Sequence, residues 1–382
     1  MSYDVDALRR EEFPWALAGD TIYLNNASTG PLPERTVRVA TEWARLRATP
    51  HKVAFERQFG ALEKGRQLIA RLIGADETEI ALATNTTFGV NLAAFALPLK
   101  RGDVVLSPDK EFPANVYPWM ALAERRGVEY RMLRCDDDVL DVERLTRELE
   151  DDRVRCVTVS WVQAVSGARV DLEALGALCK SRGVFFVVDA IQGLSALQVD
   201  LSKIHVDVFC SGAQKWLMGP WGAGFVYVRK ELVPQLEPHD VSWMAVRGAD
   251  DFTKLLDYDF TWRDSARKFE FITLPYQDIA AMNASLELIH ELGPANVSAH
   301  TLRLAQTIVD WASDRDDVDL VTPSDASRRA GIIAVRPKDP RAASARLTEA
   351  GVVHSLRESG IRLSPHFYNT REEIERVLEL LS

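Results

Sequence analysis

The chain has 382 residues, 47% hydrophobic and 27% charged, enough for a large core and for two domains at about 100–200 residues each. Acidic residues outnumber basic ones, 56 to 46, and the net charge of −10 excludes a general nucleic-acid binder. No apolar run approaches the roughly 20 residues of a membrane span, and the acidic start Met1-Ser2-Tyr3-Asp4 is unlike a secretory signal. A cytoplasmic location without a membrane partner is expected.

Helical spacing is plain over 35–46 and 61–72. A short strand at 79–83 follows, then the polar turn Thr84-Asn85-Thr86-Thr87 and a helix over 90–96. Further strands are predicted at 104–106, 130–133, 154–159, 185–188, 206–210 and 224–228, with a helix over 116–126. Most of these runs are short, continuous and apolar, as in parallel strands covered on both faces. The pattern predicts an α/β fold with a mostly parallel seven-stranded sheet.

After about residue 285 the pattern changes. A long helix over 281–292 and beyond leads into a βαβ-like tail, with strand 331–335, helix 342–350, strand 361–363 and helix 371–381. This tail reads as a smaller α+β domain. The expected division is 18–285 and 286–382, with residues 1–17 packing on the second part.

The four cysteines, Cys135, Cys156, Cys179 and Cys210, have neither metal-ligand spacing nor disulfide density, and the seven histidines are scattered. No metal site is expected. Cys156 and Cys210 fall in strand-like runs and read as small core residues.

The chemistry concentrates at two places. Lys215 stands in Ser211-Gly212-Ala213-Gln214-Lys215-Trp216 just after one strand, and Asp189 ends the apolar run Val184-Phe185-Phe186-Val187-Val188 of another. A lysine amine can form a Schiff base with pyridoxal phosphate, and a carboxylate can keep the pyridine nitrogen protonated as an electron sink. Thr86 and Thr87 open a helix, where amides and hydroxyls suit a phosphate dianion; the alternative is an ordinary helix cap.

These segments resemble the class V aminotransferase group of fold-type I pyridoxal phosphate enzymes, which includes cysteine desulfurases, isopenicillin N epimerase and kynureninase. The resemblance is carried in order by Tyr23-Leu24-Asn25-Asn26, Thr84-Asn85-Thr86-Thr87, Glu111-Phe112-Pro113-Ala114-Asn115, Val188-Asp189-Ala190-Ile191-Gln192, Ser211–Pro220, Phe269–Thr273 and Arg362-Leu363-Ser364-Pro365-His366-Phe367-Tyr368-Asn369. It implies Lys215 and Asp189 as the catalytic pair. Thr86, Thr87, Ser211 and Gln214 would hold the phosphate, joined by Thr273 across a homodimer with shared sites. Phe112 would lie over the cofactor ring, and Gln192, with Gln163 as a further candidate, would reach its phenolic oxygen. Arg362 would grip the substrate carboxylate, with Arg357, Asn25 and His366 as further substrate-side candidates. Trp243, Trp262 and Tyr276 lie where a partner's loops would approach.

The reaction implied is that of an enzyme acting on an amino acid through a lysine aldimine and a quinonoid. Only Glu358, Ser359, Gly360 and Ile361 separate Arg357 from Arg362, and no cysteine follows Cys210. The loop and thiol of a persulfide-forming desulfurase are thus missing. The reading is a β-eliminating, desulfurase-like C–S lyase without that cysteine. Transamination or epimerisation, kynureninase-type cleavage, and an inactive protein of the same fold are the alternatives.

Overall fold

The computed structural model describes residues 3–135, 138–358 and 360–381. Its centre is a seven-stranded sheet of β1 (Ile80–Ala83), β2 (Val104–Pro108), β3 (Glu129–Leu133), β4 (Val154–Ser160), β5 (Phe185–Asp189), β6 (Val208–Gly212) and β7 (Gly224–Val228). The spatial order is β1-β7-β6-β5-β4-β2-β3. All neighbours are parallel except β7, which runs antiparallel to both β6 and β1. Parallel pairing needs a crossover of a dozen or more residues. The connection 213–223, which carries Lys215, has no helix and simply turns back.

Two buried clusters cover the faces of this sheet. One is built from residues such as Val157, Phe186 and Phe209, the other from Val105, Val187 and Cys210. Successive residues of β5 therefore alternate between the two cores, as strand geometry requires. Cys156 and Cys210 are fully buried strand residues, as expected.

The sixth strand lies two residues further on than the sequence pattern suggests, at Val208–Gly212. Asp207 marks its start, accepting from the Phe186 amide at 2.8 Å and from Arg229 Nε at 3.0 Å. Its far end includes Ser211 and Gly212, which pair with Phe225 and Gly224 although neither looks strand-like in sequence.

The expected long helix is two. It runs over Tyr276–Leu292, breaks where Gly293 takes φ +84°, and restarts as Pro294–Ser313. Beyond it stands a four-stranded sheet of β8 (Val318–Leu320), β9 (Ile333–Pro337), β10 (Ser355–Arg357) and β11 (Gly360–Leu363), ordered β10-β11-β9-β8. Every pairing in it is antiparallel, so the tail is not a βαβ unit. The β10–β11 hairpin reverses the chain before it meets β9.

This sheet has its own core, which includes Leu304, Ile333, Leu363 and Ile374 and takes in Ile22 and Leu24 from near the start of the chain. Ile22–Tyr23 pairs in parallel with Val352–Val353. The first helix, Val5–Glu12, sits at the seam. Arg9 pairs with Glu373 at 2.8 Å, while Leu8 and Phe13 join the core of the large sheet. Among the described residues no helix is long and apolar enough to cross a membrane.

Candidate active site

The site gathers at the carboxyl ends of β2, β4, β5 and β6. β3 and β4 flank β2 on opposite sides, so the chain changes direction across the sheet there, and open α/β sheets bind ligands at such a switch. Asp189 is the last residue of β5 and Lys215 follows the end of β6. The helix Thr86–Ala96 (α1) is pressed onto β6, because a Cβ at Gly89 would overlap Cys210. Thr86 Oγ1 accepts from the Gly212 amide at 2.9 Å, tying the helix end to the lysine strand. Asn85 caps the helix through the Phe88 amide at 2.9 Å. The amides of Thr86 and Thr87 have no partner among the described residues, and free amides at a helix start are of the kind that can receive an anion.

Burial dominates the electrostatics. It lowers the Lys215 amine to about 8; Asp189 opposes this, whereas Arg362 and Arg357 push the same way. The same desolvation raises Asp189 to about 6, against the Ile191 amide at 3.0 Å and the Lys215 charge. Lys215 Nζ lies 5.6 Å from the centroid of the Phe112 ring, which is 52% exposed. No protein hydrogen bond ties up this amine among the described residues.

Arg362 reaches the same region from β11 and is 3% exposed. Its Nη1 donates to Ala164 O at 2.6 Å and its Nη2 to Ser28 Oγ at 2.8 Å, while its buried Nε has no partner. An orphaned N–H on a fixed guanidinium is suited to one oxygen of a carboxylate. Arg357, on β10, is exposed, and its guanidinium forms no hydrogen bond or ion pair with the described residues. Its charge nonetheless registers at both Lys215 and Arg362. Ser359, between them in sequence, lies outside the described residues.

Other candidates are placed less simply. Ser211 is buried and donates to Gly212 O at 2.9 Å, and Gln214 lies over Gly212. Gln192 accepts from Trp216 Nε1 at 2.9 Å and donates to Ala27 O at 3.0 Å, so one N–H remains to it. Asn25 accepts from Ser355 Oγ at 2.7 Å and keeps its own amide N–H groups. Thr273 is exposed, away from this cluster's hydrogen bonds. His366 does not face the site. It is fully buried, with Nε2 2.8 Å from Trp216 O and Nδ1 3.2 Å from Thr301 Oγ1, and burial depresses it to about 3. It holds the lysine turn from behind. Gly30 holds the turn from the front, its amide on Gln214 O at 2.8 Å, and a Cβ there would overlap the Lys215 carbonyl.

Glu111 was not singled out by sequence, although it stands beside Phe112. It is buried at the switch in the sheet, with Gln163 turned toward it at 3.2 Å. An acid inside an otherwise apolar and Pro-containing motif was the available signal.

The donor set fits pyridoxal phosphate: an amine without a protein partner, a buried acid on the adjoining strand, free helix amides and an orphaned arginine N–H. Fold and site define a fold-type I enzyme dependent on that cofactor. A family model for class V aminotransferases matches residues 22–377, and the chain belongs to that family. It is 28% identical to a probable cysteine desulfurase of Methanothermobacter thermautotrophicus, over 97% of this chain and 96% of that one. It is 30% identical to isopenicillin N epimerase of Streptomyces clavuligerus, over 94% of each. The structure superposes on a cysteine desulfurase of Thermococcus onnurineus with TM-score 0.86 at 23% identity, covering 99% of this chain and 98% of that one. It superposes on the cystine C–S lyase C-DES, in complex with cysteine persulfide, with TM-score 0.87 at 23% identity, covering 97% and 99%.

Proposed function

We propose that this enzyme catalyses β-elimination from a free amino acid carrying a sulfur leaving group, with no thiol of its own in the reaction. The observation that carries the reading is the burial of all four cysteines, none of which offers a reachable thiolate. Burial raises Cys135 to about 11 and Cys179 to about 12, and lifts Cys156 and Cys210 well above the usual thiol range. The short β10–β11 hairpin, with Arg357 opposite Gly360, leaves no long loop on which a nucleophile could swing in.

Thr86 and Thr87 would hold the phosphate at the end of α1, with Ser211 and Gln214 beside it. Asp189 would pair with the ring nitrogen, Phe112 would cover the ring, and the spare N–H of Gln192 would be available to the ring oxygen. The cofactor supplies the carbonyl that binds the substrate amine and the ring that accepts the electron pair left at Cα. Arg362 would grip the substrate carboxylate with Nε and a neighbouring N–H, and Arg357 would add a second positive charge close to it. Lys215, depressed toward neutrality, removes the Cα proton and retains it at Nζ for the departing sulfur.

We also read the working form as a homodimer. Trp221, Leu256, Tyr258, Phe260 and Phe271 are large apolar residues exposed on one chain, and a second copy covering them would take that surface out of water. Thr273 would then reach the partner's phosphate site.

The 30% identity to an epimerase keeps epimerisation, with transamination, as the second reading. A panel of amino acids separates them. β-Elimination gives pyruvate and ammonia with sulfide or thiol, transamination gives a keto acid and the amine form of the cofactor, and epimerisation gives only loss of optical purity. Racemic substrate with no pyruvate would sink the first reading.

A further inference from the structure

We propose that Glu111 is a positioning residue that clasps the switch point of the sheet, fixing both the Phe112 ring and the carbonyl on which Arg362 rests.

The carboxylate accepts from four donors on three residues. Oε1 takes the Ser160 amide at 2.8 Å and Gln163 Nε2 at 3.2 Å, and Oε2 takes Asn115 Nδ2 at 3.1 Å and the Ser160 hydroxyl. Ser160 ends β4 and lies opposite Asp189 in the ladder. Glu111 follows β2, so its side chain bridges the crevice where the two neighbouring strands send their chains in opposite directions. It has no cation as a partner among the described residues. A buried acid held by neutral donors alone is costly, which is the reason to look for a geometric use.

That use is visible on both sides of the clasp. On one side, the turn Phe112–Asn115 is closed by the Asn115 amide on Phe112 O at 2.8 Å, and Asn115 Oδ1 takes Thr158 Oγ1 at 2.7 Å. A half-exposed phenyl ring thus stands between Glu111 and Asn115, the two residues the clasp joins, 5.6 Å from the Lys215 amine. On the other side, Gln163 precedes Ala164, whose carbonyl receives Arg362 Nη1. One carboxylate therefore sets the ring cover and the seat of the anchor relative to a common strand end. Burial raises Glu111 to about 7, against its own donors.

The inference rests on the reading of Phe112 as ring cover and Arg362 as anchor, and the test separates their failures. Holoenzymes with Glu111→Ala, Glu111→Gln, Gln163→Ala, Phe112→Leu and the Glu111→Ala/Phe112→Leu pair are compared by circular dichroism in the cofactor's visible band and by KM and kcat. Phe112→Leu should alter the band, and Glu111→Ala should alter it in the same way, with no further change in the double variant. Glu111→Ala should also raise KM for a carboxylate substrate by about tenfold, one aligned charged hydrogen bond's worth. Glu111→Gln, which keeps the shape, should recover most of both signals. Gln163→Ala should raise KM and leave the band alone. If Glu111→Ala does not fold, the Gln163 variant decides, and an unchanged KM there overturns the anchor half. A wild-type band and KM in Glu111→Ala overturns the whole. An unaltered band in Phe112→Leu removes the ring-cover reading and that half of the inference, while KM still judges the rest.

Discussion

The two ends of this candidate active site are built differently. Lys215 and Asp189 stand at the ends of adjoining parallel strands with core on both faces, so the large sheet fixes their separation. Arg362 and Arg357 stand on a hairpin of a separate antiparallel sheet, and Arg362 is located by contacts to Ser28 and Ala164 across the seam. Chemistry common to a family calls for the first kind of support. Choice of substrate can be altered through the second, because hairpin length and charge change without disturbing the sheet.

The sharpest break of this contrast is Lys215→Ala. It should cost at least about a hundredfold in turnover while far-UV circular dichroism is unchanged, since a general base contributes about 10²–10⁴ and the side chain is not part of the core. Normal turnover would end the assignment. Arg362→Ala should next raise KM by roughly thirty- to a thousandfold, corresponding to about 2–4 kcal/mol for a desolvated charge pair, with kcat less affected. An unchanged KM would move the anchor elsewhere.

Glu111→Gln tests the sheet side through pH. Glu111 is raised on folding from 4.5 to about 7, so its contribution to stability is full below pH 4.5 and is lost as pH rises through 7. The apoprotein variant should therefore gain on the wild type across that window, by up to about 3 kcal/mol at the top of it. Urea melts at pH 5 and pH 8 measure this, and a constant difference would refute it. Smallest is the effect on the lysine itself. Cofactor capture by apoenzyme needs the neutral amine, so its rate should rise with pH to a midpoint near 8. Removing Arg362 should shift that midpoint upward, because its charge favours the neutral form. A midpoint near that of a free lysine would contradict the buried amine.

The lysine end was largely legible in the sequence, because the chemistry dictates an amine and an acid at strand ends and apolar runs announce such strands. Motif order made Arg362 legible too. Tertiary partners were not. His366 and Gln192 are polar residues inside the right motifs, but whether they face a cavity depends on Trp216, which donates to Gln192 Oε1 and whose carbonyl engages His366 Nε2. The donors to Glu111 come from residues 115, 160 and 163, and no local pattern joins them. Likewise the antiparallel tail depends on a tight hairpin at 355–363, where the apolar runs alone suggested a crossover.

The burial of every cysteine carries a practical corollary. Iodoacetamide or peroxide finds no sulfhydryl to modify while the protein stays folded, so preparations should tolerate air and need no reducing agent in storage. Loss of activity under oxidants would then track unfolding rather than damage to a working sulfur.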